Sequence, residues 1–430
     1  MPGSSRQPIN APAGSPQATG IPWLGLGILA VLILILAAFV AYFFFDVGQD
    51  DAPGTATPVP VAADQGSQPT TRDLVAGHNQ GALGYPDAAT RNTTRISGTD
   101  PVEISIAAAL AAYPTTGPGS PPAAVTIVNA DEWQSGVAAA ALSSPPIGSP
   151  ILLAPDGTLS ADGTDALKQL DPLGSPDTGE NKVFTVGKVA PPSGFDVKKI
   201  RGGDPASLAV SVAELKAELA DGPPEAFVVV SSEESAYATP AATWAARSGD
   251  PVLFTGKNEV PAATIDFLKK KENRDVPVFI LGPSKVVSSD ALRQLSKVSA
   301  SVERVGGEDP PATSVELARF SSGTFGWNLN DPGHGFTVAR SDRPLDAIAA
   351  TALSTGGTWP ALLLTEADDK LPDVVEEYLL DIKPGYDTDP TRALYNHVWI
   401  IGDDSLIDIN QQASIDDAAE LAPVETLSTP

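Results

Sequence analysis

The sequence of 430 residues contains no cysteine, one methionine and only three histidines. Without cysteine, neither a disulfide framework nor thiolate chemistry is available. The three histidines, His78, His334 and His397, share no short motif, which argues against the usual histidine-based zinc sites and catalytic arrangements. Basic residues are also scarce, since 27 Lys and Arg stand against 53 Asp and Glu, for a net charge of -26. Such a charge favours solubility and disfavours nucleic acid as a partner.

The sequence also lacks the glycine-rich loops that bind nucleotides. Gly187, Gly282 and Gly402 each follow an apolar run, but none belongs to G-x-G-x-x-G or to G-x-x-x-x-G-K-[ST], so we interpret them as turn glycines. Acidic pairs such as Asp368-Asp369 do not follow the twelve-residue calcium-loop pattern. Asp131-Glu132 and Glu233-Glu234 could form acid/base pairs, but the third corresponding segment does not repeat them. We therefore predict no catalytic residues, no metal and no cofactor, and a protein that is not an enzyme.

Charged side chains are absent from residues 21–45, an apolar run of 25 residues. About 20 helical residues cross the apolar core of a bilayer, so this run predicts a transmembrane helix. Residues 1–20 are predicted to be a disordered cytoplasmic tail and residues 46–94 a disordered extracellular linker, which gives a single-pass protein with its N-terminus inside. A cleaved signal peptide is the alternative, although its apolar core usually has 7–15 residues.

One sequence block occurs three times, 104 and then 105 residues apart. Its copies are Ile96-Ser-Gly-Thr-Asp100-Pro101, Ile200-Arg-Gly-Gly-Asp204-Pro205 and Val305-Gly-Gly-Glu-Asp309-Pro310. A fixed period indicates one structural unit that is copied, here at the size of a domain. We therefore divide residues 95–430, which we call the head, into repeat 1 (95–199), repeat 2 (200–303), repeat 3 (304–420) and a disordered tail (421–430).

Each block is followed by apolar runs that alternate with helix-like segments in the same order. Short, continuous apolar runs between helices are typical of parallel strands that are buried on both faces. We therefore predict the α/β class, with three similar modules built on parallel sheets, and we expect a last helix to close each repeat. Repeat 3 ends without the strand of the next block, whereas repeat 1 begins with one. This offset predicts that the first strand completes the last module in a closed pseudo-threefold arrangement.

The repeated Asp-Pro pairs admit two interpretations. Asp100, Asp204 and Asp309 could be ligand-binding carboxylates at strand ends, where open α/β sheets bind ligands. Asp is also a favoured N-cap and Pro a favoured first helical residue, so we predict that these three residues cap helices.

Two other groups of residues are candidates for ligand contact. The main basic group is Lys269, Lys270, Lys271 and Arg274, which is either a solvated helix end or a contact for an anionic polymer. Five aromatic residues are either core and interface residues or a surface on which sugars stack: Trp133, Tyr237, Trp244, Trp327 and Trp359.

The order of these segments resembles that of the cell wall-binding repeat 2 family. Typical repeats of this family open with I-x-G-x-D-R-Y and continue with D-A-L-A-A, P-I-L-L-T and V-x-I-L-G-G. Matching segments are Ile96-x-Gly98-x-Asp100, Asp346-Ala-Ile-Ala-Ala350, Pro150-Ile-Leu-Leu-Ala154 and Val278-Phe-Ile-Leu-Gly282. The resemblance covers about 95–420 and implies three α/β modules packed as a pseudo-trimer that binds anionic wall polymers. In this chain Pro replaces the Arg-Tyr that follows Asp in the family.

The sequence thus favours a membrane-anchored envelope protein whose external head binds or organises cell-wall polymer. A docking head for another envelope protein is the first alternative, and a hydrolase with degenerate motifs is the second. The head carries about -23 of the net charge, which opposes a polyanionic ligand unless cations are concentrated locally.

Overall fold

The computed structural model describes residues 88–114, 120–355 and 359–424. All described residues belong to one compact unit within residues 69–430. The predicted tail, transmembrane helix and most of the linker lie outside the described residues. Within the described residues, no helix is both long and apolar enough to cross a membrane.

Within the described residues, parallel strands build three main sheets and one small two-stranded sheet, and α-helices connect the strands of the main sheets. The strands are β1 (Ala88–Ala89), β2 (Thr93–Ile96), β3 (Val125–Asn129), β4 (Ile151–Ala154), β5 (Val183–Val186), β6 (Val197–Ile200), β7 (Phe227–Ser231), β8 (Val252–Thr255), β9 (Val278–Leu281), β10 (Val302–Val305), β11 (Gly335–Arg340), β12 (Ala361–Thr365), β13 (Gly385–Tyr386), β14 (His397–Ile401) and β15 (Ala422–Pro423). The helices are α1 (Pro101–Ala112), α2 (Trp133–Ala139), α3 (Ala161–Leu170), α4 (Pro205–Leu219), α5 (Ser235–Ser248), α6 (Ala262–Leu268), α7 (Ser289–Leu295), α8 (Pro310–Arg319), α9 (Pro344–Ala349), α10 (Asp373–Asp381) and α11 (Ile409–Ala419).

The three main sheets have the same strand order. They run β4-β3-β5-β6 in module 1, β8-β7-β9-β10 in module 2 and β12-β11-β14-β2 in module 3, where β1 extends the sheet in the antiparallel sense. The central strands of modules 1 and 2 are mainly apolar and fully buried, as expected for sheets covered on both faces. In module 3, β14 has two half-buried residues. The described region is therefore mixed α/β with several parallel sheets, as the sequence predicted.

The repeated block crosses from one module to the next. Its strand completes the sheet of the preceding module, since β6 pairs with β5 and β10 pairs with β9. Its helix then packs on the following module, as α4 does against β8. In module 3 the completing strand is β2, which pairs in parallel with β14 and places Arg95 opposite Ile400. The offset of the three copies correctly predicted this closure.

Alanine-rich helices occupy the centre between the three sheets. Helices α2, α5 and α9 contact one another, and one hydrophobic core runs through residues of all three modules. Gly136 in α2 lies so close to α9 that a Cβ atom there would be 2.6 Å from Cγ2 of Ile348. Small side chains thus allow the close approach of the central helices.

Three sequence expectations differ from the structure. Residues 88–94, assigned to the linker, form β1 and the start of β2, because β2 is held by the ladder with β14. Residues 422–423, assigned to the disordered tail, form β15, which pairs with β13. Repeat 1 has no last helix after Gly187, because Pro191, Pro192 and Gly194 interrupt the segment where it would form.

Candidate functional site

The Asp residues of the repeated block accept hydrogen bonds from the first turns of the helices that follow them. The Asp100 side chain accepts from the backbone N–H groups of Val102 and Glu103, at 2.8 and 3.1 Å. Asp204 and Asp309 accept from the backbone N–H groups three residues on, at 2.9 and 2.8 Å. Each carboxylate thereby satisfies a donor that the helix leaves unpaired. These contacts account for the repeated Asp without a ligand.

The other carboxylates at the ends of the strands do not repeat around the three modules. Glu132 and Glu234 are the residues before α2 and α5, but Arg343 occupies this position before α9. Arg343 forms an ion pair with the buried Asp346 and donates to the backbone carbonyl of Thr99 at 3.0 Å. Within the described residues, no group of three or more His, Asp or Glu side chains could hold a metal ion.

A cleft of about 450 Å³ lies where α1 meets module 1, on the side where the strands end. Asp100, Glu103 and Asp162 contribute carboxylates, while Val102 and Ile106 contribute apolar surface. Its negative charge disfavours an anionic ligand.

A second cleft, of about 290 Å³, lies in module 2. It lies at the edge of the sheet where the strands begin, and its charge is positive. Three cations, Lys269, Arg274 and Lys297, line it together with a single carboxylate, Asp275. We call this group the basic cleft. Residues 298–300 complete its lining.

The basic cleft is built from two turns that lie side by side. One turn leads from α6 into β9 and the other from α7 into β10, and these two strands begin in register with Val278 opposite Val302. The backbone N–H of Ala300 donates to the carbonyl of Arg274 at 3.0 Å and links the turns. The Ser299 hydroxyl adds a bond to the carbonyl of Val276 at 3.2 Å. The turns are thus fixed relative to each other by backbone contacts.

The cations of the basic cleft follow the C-terminal ends of two helices. Lys269 is the C-cap residue of α6, and Lys297 lies two residues beyond α7. A helix C-terminus carries a partial negative charge that stabilises cations beside it. Lys269 lies 3.7 Å from Asp266, a distance that leaves its ammonium available to another anion. Among the described residues, no carboxylate lies within 4.0 Å of Arg274 or Lys297.

The structure separates the four basic residues named from the sequence. Lys269 and Arg274 line the cleft, whereas Lys270 forms an ion pair of 2.5 Å with Glu214 of α4 and also lies over the ring of Phe267. Lys271 is exposed and does not line the cleft. Lys297 was missed because it is distant in sequence from Lys269. Lys297 could have been found from the predicted parallel pairing of the two strands, because that pairing brings together the turns that precede them.

Sequence reasoning also missed two arginines that stabilise the strand ends. Arg95 in β2 is buried and donates to the backbone carbonyls of Gly402, Asp403 and Ile407 at 2.7 to 2.9 Å. Arg304 occupies the corresponding position in β10 and donates to the carbonyl of Gly282 at 2.6 Å. These side chains satisfy carbonyl groups that would otherwise lack donors.

Comparison with known proteins gives one family match. Residues 199–292 match the family model of cell wall binding domain 2 (CWB2). The match covers most of repeat 2, including Lys269 and Arg274, and ends before Lys297. It supports the resemblance inferred from the sequence for that repeat. No curated protein matches the chain.

Cwp6 and Cwp8 are two of the solved structures that share the fold. Cwp6 from Clostridium difficile has a TM-score of 0.59 and 20% sequence identity, over 81% of this chain and 54% of that chain. Cwp8 from Clostridium difficile has a TM-score of 0.57 and 20% identity, over 77% of this chain and 52% of that chain. The chain spans about half the length of each structure. At this identity the likeness concerns the fold alone.

Proposed function

We propose that the described region is a non-catalytic module that binds an anionic polymer of the cell envelope through the basic cleft. The observation that carries this proposal is the position of the cleft. Three cations converge on module 2, the module that matches CWB2, in a chain whose net charge is -26. Such a cleft accepts one negatively charged repeat of a polymer, while the surrounding acidic surface disfavours polyanion binding elsewhere.

The same proposal includes the location of the protein. The apolar run of residues 21–45 would anchor the chain in the membrane with the N-terminus inside, and residues 46–87 would connect the anchor to the binding module. In this arrangement the module samples the envelope within reach of the linker, so a weak interaction with a repetitive polymer would be strengthened by its many equivalent sites.

The test is co-sedimentation of the full chain, in detergent, with purified walls that carry anionic polymer. The triple variant Lys269→Gln, Arg274→Gln, Lys297→Gln should bind at least tenfold more weakly. The matched control is Lys188→Gln, Lys198→Gln, Lys199→Gln, which removes three exposed cations from module 1 and should bind like the unmodified chain. Added salt should weaken binding of the unmodified chain, because screening reduces attraction between exposed charges.

Equal binding by both triple variants would contradict the proposal. Capture of a membrane protein, with no retention on walls, would instead favour the docking alternative.

A further inference from the structure

Exposed apolar side chains are concentrated in module 3. Among the described residues, seven large apolar side chains are exposed, and one of them, Leu173, lies in module 1. The other six lie in module 3, at Trp359, Leu380, Leu394, Tyr395, Ile409 and Val424. Leu394 and Tyr395 are the most exposed of the seven, at 62% and 65%. Apolar side chains grouped on a surface in this way mark a place of contact with a partner or a membrane.

Leu394 and Tyr395 are held at the edge of module 3 where its strands begin. They precede β14, in the connection from α10. The next residue, Asn396, is fully buried, and its side-chain oxygen accepts from the backbone N–H of Gly333 at 2.8 Å. Its amide nitrogen donates to the carbonyl of Ile382 at 3.0 Å. The base of the connection is thus fixed, and the two apolar side chains protrude from it.

Two further side chains extend this edge. Leu380 lies in the last turn of α10, and Val424 follows β15, which pairs with β13 in the connection between α10 and β14. We call Leu380, Leu394, Tyr395 and Val424 the apolar edge. In module 2 the corresponding connection, residues 269–277, is described throughout and has no exposed large apolar side chain. The same edge therefore has a different chemistry in modules 2 and 3.

The charges beside the apolar edge do not favour an anionic ligand. Arg392 is exposed two residues before Leu394, but Asp387 and Asp389 are exposed in the same connection. Contact through this surface therefore depends on the burial of apolar area. Tyr395 has an apolar ring and a polar hydroxyl, a combination that suits the boundary between the lipid chains and the headgroups of a bilayer.

The chain that precedes the described residues leads to module 3. Residues 46–87 separate the apolar run 21–45 from β1, and a linker of this length spans roughly 36 Å. Since β1 pairs with β2, this segment joins the module that carries the apolar edge. Insertion of two side chains alone gives a weak affinity, on the order of millimolar. The effective concentration of a tethered module is also on the order of millimolar, so a membrane anchor makes such a contact effective.

We propose that the apolar edge of module 3 docks on the surface of the lipid bilayer, with Leu394 and Tyr395 inserted at the level of the headgroups. The head then lies on the membrane instead of projecting from it. This inference rests on the membrane anchor of the proposed function and does not depend on the basic cleft.

The test is quenching of a fluorophore by brominated lipid, in phosphatidylcholine vesicles that contain the full chain. Because the chain has no cysteine, Arg392→Cys and Leu173→Cys each provide a single site for a polarity-sensitive fluorophore. Leu173 is the matched control, since it is 58% exposed in the corresponding connection of module 1. The fluorophore at position 392 should be quenched about twofold more strongly than that at position 173, because only the former reaches the lipid chains. Adding Leu394→Asn and Tyr395→Asn should remove this difference, whereas added salt should preserve it.

Equal quenching at positions 392 and 173 would overturn the inference and favour a protein partner for the apolar edge. Stronger quenching at position 392 that persists after both Asn substitutions would overturn it as well. A difference that depends on the ratio of protein to lipid would assign the surface to contact between copies of the chain and not to lipid. If the full chain did not float with the vesicles, both the membrane anchor and this inference would be refuted. Wall binding by the Leu394→Asn, Tyr395→Asn variant should equal that of the unmodified chain, which separates this surface from the basic cleft.

Discussion

At the scale of single residues, Lys216 in α4 is a lysine whose ammonium is buried. It is 7% exposed where α4 packs against module 1, and its ammonium lies 3.5 Å from the carbonyl of Pro145. Burial lowers the pKa of Lys216 to about 8, and the nearby carboxylate of Asp250 opposes this only in part. Burial of the charged ammonium therefore lowers the stability of the folded protein at neutral pH.

The sign of the pH dependence follows from this lowered pKa. Between about pH 8 and pH 10.5 the unfolded chain binds more protons at Lys216 than the folded chain does, so this group makes stability rise with pH. Lys216→Met should therefore stabilise the protein at pH 7, by up to about 3 kcal/mol, and the gain should shrink towards pH 10. Urea unfolding of the full chain at both pH values measures this. Lys168→Met, at an exposed position, is the control. A variant that is less stable than the parent at pH 7 would contradict the assignment.

At the scale of elements, the central helices depend on small residues at their contacts. Gly136→Ala would place a methyl group 2.6 Å from Ile348, and a well-packed core resists such an addition. We expect the free energy of unfolding to fall by about 1–3 kcal/mol. Gly203→Ala is the matched control, because no atom lies within 4 Å of the added methyl group. Equal stability of the two variants, measured by urea unfolding, would show that the central helices can separate without cost.

The strands and their pairing could be predicted from the sequence, whereas the basic cleft could be predicted only in part. The apolar runs predicted the strands, because a strand that is buried on both faces is apolar at successive positions. The offset of the repeated block predicted the pairing of β2 with β14. The basic cleft could be predicted only in part, because Lys297 joins Lys269 through the pairing of β9 with β10. The guanidinium carbon of Arg247 lies 4.3 Å from the centroid of the Trp359 ring, a contact that was not predictable because no repeated sequence pattern connects the two residues.

At the scale of the whole molecule, closure through β2 should make the modules unfold together. One core extends through all three modules, and Arg95 connects β2 to the end of the third sheet. Arg95→Ala should lower the midpoint of a single calorimetric transition, with a loss of about 3 kcal/mol or more, because it leaves buried carbonyls without donors. Lys199→Ala changes the corresponding, exposed residue of β6 and should have little effect. Separate transitions for the modules would contradict the closed arrangement.

An anionic envelope polymer that binds to module 2 should protect the two turns of the basic cleft from solvent. Hydrogen–deuterium exchange of the full chain, with and without purified anionic wall polymer, measures this protection. We predict slower exchange in residues 269–276 and 297–301, the two turns that build the cleft, and no change in residues 171–182, the turn before β5 in module 1. Protection around Asp100 and Glu103 on the opposite edge, or equal protection of the turns in all three modules, would contradict the account.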